Sequence, residues 1–583
     1  MKRLFGKILV IGLIGVTSAQ HVNAQIDEAL STALLNDSVV TGLVVFRQQA
    51  DVNRVPFHAS KSEKGRSVFA ELHRVAAESR HSSLLALLEA RGVEFHSFFI
   101  INAIRIPRMD ARLAEWLAGQ PEVAFLTTDP VVSQKNGAMG VNQTGLIMRT
   151  NPEIGWGLEW MGVPEVWALG YSGQGVVIGG QDTGYEWDHP ALRDQYRGNK
   201  SSGVTHEYNW HDAIHEDIHP DDQINPCGYS LEEPCADNPH GILTMAVAIG
   251  AKPDFSMGVA PAATWIGCRN MDRGFGTPST YLECFEWFLA PTDSHGENPE
   301  PDLAPHVINN SWVCPLSEGC TSSHNKILDL AVRHLVAAGV VVVASAGNDG
   351  PECGTIEFPP AIFEQSFTVG AFDANGKMAD FSSRGPVSAD ETSRVKPDVV
   401  APGVAVPTCG YSEEIIPASG TSLAAPHVAG MIALMISARP SLAGQVDRLT
   451  EMVRKSALPL SSEQDCMGVS GSTIPNAVSG YGMAQAARAV ALALEANLPG
   501  WQPENIFYIT PNPFGERLLV RTRRSGIVRL QLYTLHGQLI QENTWSAIPT
   551  SLHSFPTGSL PSGVYVCRLQ VNGQSEVHKV VKW

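Results

Sequence analysis

Long stretches of this chain read as apolar strands separated by helical spacing. Residues 340–346 are almost continuously apolar and β-branched, and residues 176–181, 265–268 and 307–311 have the same character. Strands apolar on both faces belong in a sheet covered on both sides. Helical spacing over 241–249 and 325–338 alternates with them, so the block 150–495 predicts an α/β fold with a doubly wound, mostly parallel sheet. Ahead of it, residues 25–145 predict a smaller α+β unit. Its strands fall at 43–46, 98–106 and 123–126, its helices at 67–91 (with a break near 80–82) and 111–117. Residues 129–151 read as loop. Beyond a Pro- and Gly-rich linker at 496–505 the period drops to two, at 518–522, 528–533, 539–542, 564–571 and 577–581. Asn572-Gly573 between the last two runs is a hairpin signal, and 506–583 predicts a small all-β sandwich.

A length of 583 residues suits three or four such domains. With 44% hydrophobic and 17% charged residues, the composition is that of a soluble globular protein. A formal net charge of −18 argues against nucleic acid or an anionic membrane surface as partner. Residues 1–24 add a signal peptide: Lys2, Arg3 and Lys7 precede the apolar run 8–16, and Val22-Asn23-Ala24 suits signal peptidase. That run is too short to span a bilayer, so export is expected, with no transmembrane segment in the mature chain. Ten cysteines fit an oxidising destination. Cys227 and Cys235 share one polar loop, Cys314 and Cys320 another. Nine of the ten lie within 227–466, which leaves at least one thiol there unpaired; the connectivity stays open.

Candidate chemistry gathers at strand ends and helix starts, where doubly wound sheets hold their ligand groups. Gly420-Thr421-Ser422-Leu423-Ala424-Ala425-Pro426-His427-Val428-Ala429-Gly430 reads as a tight turn feeding a helix near whose start Pro426 is tolerated. Ser422 then sits at the positive end of the helix dipole. His427 is about 140° around that helix from Ser422, so a base for it must come from elsewhere. Asp182 ends the strand Val176-Val177-Ile178-Gly179-Gly180-Gln181 and is followed by Thr183-Gly184 and His189-Pro190-Ala191-Leu192; His240 opens a helix within Asn238-Pro239-His240-Gly241; Asn348 follows the apolar strand in Ala344-Ser345-Ala346-Gly347-Asn348-Asp349-Gly350. Each alone is an ordinary turn, cap or packing residue. Together they resemble the motifs of subtilisin-like serine peptidases (subtilases, S8), in the chain order Asp, His, Ser. Further matches are Ile308-Asn309-Asn310-Ser311-Trp312, Phe381-Ser382-Ser383-Arg384-Gly385-Pro386 and Lys396-Pro397-Asp398-Val399-Val400-Ala401-Pro402-Gly403. Ile242 departs from the family's usual Thr after His-Gly.

The resemblance implies a secreted serine endopeptidase working through an acyl-enzyme, with Ser422 as nucleophile, His240 as base and Asp182 orienting the imidazole. Asn348 would donate to the oxyanion. Substrate would lie as an extended strand along Ser311, Trp312 and Val313, with Ala344, Ser345, Ala346 and Gly347 lining the primary pocket. Residues 25–145 resemble the inhibitory propeptide of the family, which implies a zymogen that inhibits itself. No cofactor is required. Family members often hold structural calcium, and the stretch 206–237 is rich in His, Asp and Glu, although its spacing follows no calcium-loop pattern. The C-terminal segment resembles the sorting domain of type IX secretion, through Pro511-Asn512-Pro513-Phe514, His536-Gly537-Gln538, Leu560-Pro561-Ser562-Gly563-Val564-Tyr565 and Lys579-Val580-Val581-Lys582. Passage through periplasm and outer membrane to the cell surface or the medium follows from it, with the secretion machinery as partner. The competing reading is a catalytically silent subtilase-fold binding or adhesion protein.

Overall fold

The computed structural model describes residues 24–55, 59–80, 83–134, 153–221, 224–389, 393–494, 507–510, 517–522, 526–535, 537–547 and 552–582. The expected signal peptide (all but its last residue), the linker at 496–505 and the stretch 135–152 lie outside them. The N-terminal unit runs β1 (Gln25–Ile26), α1 (Glu28–Asn36), β2 (Val40–Phe46), α2 (Lys61–Arg80), α3 (Ser83–Ala90), β3 (His96–Phe98), β4 (Ala103–Met109), α4 (Ala111–Ala118), β5 (Val123–Thr128) and β6 (Val132–Ser133). Its sheet has the order β1-β5-β2-β4-β3, antiparallel except where β1 meets β5. The single strand expected over 98–106 is two strands. Between them the chain turns, and the N–H groups of Phe99 and Ile100 point to the Glu286 carboxylate instead of a neighbouring strand.

The central domain follows with β7 (Val177–Asp182), β8 (Trp210–Asp212), α5 (His240–Ile249), β9 (Thr264–Arg269), β10 (Met271–Asp272), β11 (Phe275–Gly276), α6 (Pro278–Leu289), β12 (Val307–Asn310), α7 (Ser322–Ala337), β13 (Val341–Ser345), β14 (Phe367–Phe372), β15 (Val399–Pro402) and α8 (Thr421–Ala438). Seven strands form an all-parallel sheet in the order β8-β9-β7-β12-β13-β14-β15. One core packs α5 and α8 with residues of β7, β13 and β14. A second core holds α6 and α7 together with Leu43, Val45, Val68, Leu72, Phe98, Ile100 and Ile101 of the N-terminal unit. Helix α8 is long and apolar enough to cross a membrane, but it is buried in the first core. Its small residues explain the fit: a Cβ on Gly430 would stand 2.6 Å from the Cβ of Val259.

The C-terminal region is all β: β16 (Phe507–Thr510), β17 (Arg517–Thr522), β18 (Gly526–Thr534), β19 (Leu539–Ala547), β20 (Leu552–Pro556), β21 (Gly563–Val571) and β22 (Gln574–Lys582). Two sheets, β16-β17-β20 and β19-β18-β21-β22, enclose a core of their own residues. The β21–β22 hairpin turns at Asn572-Gly573, both at positive φ (49° and 80°), as a two-residue hairpin turn demands.

Four disulfides join Cys227 to Cys235, Cys268 to Cys284, Cys314 to Cys320 and Cys353 to Cys466. Cys409 and Cys567 are free and buried. Both local pairs expected from the sequence form, and the odd thiol of the central domain is Cys409, whose burial pushes its pKa up to about 12.

Candidate active site

Strand β7 and helix α5 bring the first two groups together. Asp182 is the last residue of β7 and His240 the first of α5, both buried, and His240 Nδ1 lies 2.7 Å from Asp182 Oδ1. The carboxylate is held by the Thr183 N–H at 2.8 Å. The helix start is fixed in turn: Asn238 Oδ1 accepts the His240 N–H at 3.0 Å, and Thr183 Oγ1 accepts the Gly241 N–H at 3.1 Å. Nδ1 is thereby committed to Asp182, and Nε2 faces the other way across the ring.

Ser422 is the second residue of α8. Pro426, expected near enough to the start of this helix to need no acceptor, lies five residues beyond Thr421, inside the helix, where proline costs a backbone hydrogen bond. The carbonyl it leaves without a helical donor is that of Ser422, four residues back. Ser311 Oγ donates to that carbonyl at 3.1 Å, so the break ties the nucleophile candidate to the end of β12. Gly420, at φ +153°, makes the entry turn. Asn348 docks against the same turn: its Oδ1 accepts from Thr421 N–H at 2.9 Å and Thr421 Oγ1 at 3.0 Å. Its Nδ2 therefore faces the opposite side, 3.8 Å from where a Cβ on Gly420 would stand. His427 turns into the core, where its Nδ1 donates to the Leu423 carbonyl at 2.8 Å; burial holds its pKa down near about 4. It is a packing residue, as its helical angle requires.

The end of the N-terminal unit closes the gap between these groups. Strand β6 pairs antiparallel with β11, Val132 opposite Gly276 and Ser133 opposite Phe275. Gln134 N–H then donates to the Gly274 carbonyl at 2.8 Å. Its side-chain nitrogen lies 3.0 and 3.1 Å from the two ring nitrogens of His240 and donates to the Ser311 carbonyl at 3.0 Å. A chain of contacts thus runs Asp182, His240, Gln134, Ser311, Ser422, with Asn348 beside Ser422 through Thr421.

The other expected contact residues fall differently. The extended chain pairs with β11 and meets residues 311–313 through the Ser311 carbonyl, so the expected edge is only one wall of the cleft. The Trp312 side chain is 1% exposed and stacks on Tyr281, centroids 3.9 Å apart, within the second core. Ala344 and Ala346 also lie in that core, Ser345 is buried, and Gly347 exchanges hydrogen bonds with Thr421 Oγ1. Gln134, β11 and Glu318, which binds Ser133, were not found from the sequence. Two-residue strands carry no periodicity, and a lone Gln or Glu in a loop carries no motif.

The acidic stretch 206–237 is a web of ion pairs. Arg269, fully buried, binds Asp212 through two nitrogens at 2.8 Å and Asp237 at 3.2 Å. Arg273 pairs with Asp217, Asp221 and Asp272, and Glu216 with Arg105 of the N-terminal unit. Burial raises the Asp237 carboxyl to about 6 against the pull of Arg269. Burial also works against the Glu283 carboxylate, but N–H donors from His211 and His215 outweigh it and hold its pKa far down. With guanidinium groups already on Asp212, Glu216, Asp217, Asp221 and Asp237, these carboxylates do not fit calcium. Among the described residues, no group of three or more His, Cys, Asp or Glu could hold a metal ion. The web instead anchors residue 237, just ahead of the turn that presents His240.

A seven-stranded parallel sheet with aspartate, histidine and serine in this chain order at one end has the architecture of a subtilisin-type serine peptidase. Residues 173–482, more than half of the chain, match the subtilase family (peptidase S8), and the chain belongs to that family. Residues 508–583 match the secretion system C-terminal sorting domain, which marks the chain for type IX export to the cell surface or beyond. Bacillopeptidase F of Bacillus subtilis (strain 168) is 30% identical over 500 residues, 80% of this chain and 32% of that protein. A thermostable alkaline protease of Halalkalibacterium halodurans is 28% identical over 323 residues, 55% and 71% of the two chains. Subtilisin E of Bacillus subtilis (strain 168) is 25% identical over 335 residues, 57% and 70%. The chain spans only about a third of the length of bacillopeptidase F.

Proposed function

We propose that this chain is an exported serine endopeptidase, made as a zymogen and inhibited by its own N-terminal unit, residues 25–145. A serine hydroxyl scarcely ionises unaided, so attack on a peptide carbonyl needs a base. His240 Nε2 takes the Ser422 proton as Oγ bonds to the carbonyl carbon, and Asp182 steadies the imidazolium from Nδ1. The tetrahedral oxyanion is held by Ser422 N–H and Asn348 Nδ2; losing one such donor costs about 2.7–4 kcal/mol of barrier. Collapse expels the amine, which leaves with the proton from His240. Water, deprotonated by the same imidazole, then hydrolyses the acyl-enzyme and restores the serine. Proteins and peptides are the substrate class, and with His240 serving as both base and acid the chemistry asks for no cofactor.

One observation carries this reading: the tail Val132–Gln134 lies as an added strand on β11, with Gln134 against His240 and the Ser311 carbonyl. A peptide held this way is bound as substrate would be, and its own covalent attachment makes it an inhibitor. Maturation then cuts within 129–151, and the type IX machinery receives residues 506–583, which are removed or retained at the surface. The test is labelling with a fluorophosphonate probe followed by mapping of the modified peptide. Purified mature protein is expected to carry the label on Ser422. Folded protein that stays unlabelled would leave the silent adhesion scaffold as the better account.

A further inference from the structure

The strand laid on β11 leaves one donor for the opposite side of the cleft. In an antiparallel ladder alternate residues turn their N–H and C=O groups to the partner and away from it. Gln134 N–H faces β11, where it meets the Gly274 carbonyl, so Ser133 N–H faces away. There it meets a carboxylate. Glu318 Oε2 accepts the Ser133 N–H at 2.5 Å, and Glu318 Oε1 accepts the Ser133 hydroxyl at 2.9 Å. The carboxylate reads the backbone and the side chain of one residue together, in two charge-assisted bonds.

Glu318 is held in place for this. It sits in the short turn Leu316–Glu318, inside a loop closed by the Cys314–Cys320 disulfide. Gly319 follows at φ +99°, and a Cβ there would stand 2.9 Å from Pro130, so the loop lies directly on the bound strand. Both cysteines, the turn and Glu318 belong to the central domain, so they remain when the N-terminal unit has gone.

We propose that Glu318 is a specificity-determining residue, which selects substrates carrying a hydroxyl side chain, Ser or Thr, at the position Ser133 occupies. This rests on the peptidase reading and on the tail lying as a substrate lies. Alanine at that position forfeits the Oε1 bond; aspartate brings a second carboxylate against Glu318 and is rejected.

The test uses peptides spanning residues 129–137 of this chain, with Ser, Thr, Ala or Asp at position 133, cleaved by mature enzyme. Ser and Thr peptides are expected to show kcat/KM about tenfold above Ala, with Asp lowest. In Glu318→Ala the Ser-to-Ala ratio falls to near one. Glu318→Gln keeps the shape and an acceptor without the charge, and lowers the ratio to a few-fold; it serves if the alanine variant does not fold. An unchanged Ser-to-Ala ratio in either folded variant, or no Ser preference in the wild type, overturns the proposal. If folded, fluorophosphonate-reactive enzyme cleaves other peptides but none of this set, the substrate-like placement of the tail is wrong. Protein neither labelled nor active on any peptide sinks the peptidase reading, and Glu318 with it.

Discussion

The two ends of this chain are attached to its central domain in opposite ways. The N-terminal unit shares a core with it: Leu72, Phe98, Ile100 and Ile101 are buried beside Phe285, Leu328 and Leu335. Polar contacts extend that seam, with Lys61 Nζ on the Ala304 carbonyl, Lys64 Nζ on the Gly444 carbonyl and Asp129 on the N-terminus of α6 through Ser279. The C-terminal sandwich buries its own residues among themselves, from Leu518 to Val580. A unit whose apolar surface is completed by its neighbour cannot be separated without exposing that neighbour's core. A sandwich with a closed core can.

Deleting residues 506–583 is the strongest test of that contrast. The truncated chain is expected to remain in the periplasm while the unfolding transition of the rest keeps its midpoint. Normal surface delivery, or a lowered midpoint, would break the comparison. A finer version uses two cavities. Phe98→Ala opens the shared core and should cost about 3–5 kcal/mol in the transition of the central and N-terminal parts, leaving the sandwich unchanged. Leu569→Ala should cost about 2–5 kcal/mol in the sandwich transition alone. Calorimetry of full-length Ser422→Ala protein reads both, and any cross-effect contradicts the separation.

The smallest effect is on pH. His324 and His334 lie on α7 beneath the N-terminal unit, where His324 Nε2 meets the Thr128 carbonyl at 2.8 Å and His334 Nδ1 the Ile100 carbonyl at 2.5 Å. Burial lowers both from the ordinary value of 6.5, more than these carbonyls raise them. Docked, the pair binds fewer protons than when released, so docking is at full strength above pH 6.5 and weakens as pH falls below it. In the Ser422→Ala chain, digestion of the N-terminal unit by an added protease should be faster near pH 5.5 than near pH 7.5, after correction for the protease's own pH dependence. Equal corrected rates would remove the histidines from the account.

Much of this was legible in the sequence because packing and backbone need left marks there. The apolar strand expected over 340–346 is β13, Val341–Ser345, and the helix expected at 241–249 begins one residue earlier, at His240 itself. Asp182, His240 and Ser422 each stand at a strand end or helix start, and Asn348 lies three residues beyond the end of β13; those junctions carry glycine and proline signals. What stayed hidden depends on partners far along the chain. Glu286 caps a turn 186 residues away, and Gln134 reaches a histidine 106 residues on. Helix α6 gave no amphipathic signal because Tyr281, Leu282, Phe285, Trp287, Phe288 and Leu289 are buried around most of its surface. Pro426 misled in a different way, since its cost within the helix is offset by a hydroxyl from Ser311, which no local rule reveals.

Whether Asp182, His240 and Ser422 work as one unit is decided most directly by a double-mutant comparison on mature enzyme. Groups acting in the same proton transfer do not lose rate independently. Peptide hydrolysis by Ser422→Ala, His240→Ala and the double variant is expected to fall to the same residual level in all three. A double variant slower than either single one by the product of their separate losses would show that the hydroxyl and the imidazole act apart, contradicting the account.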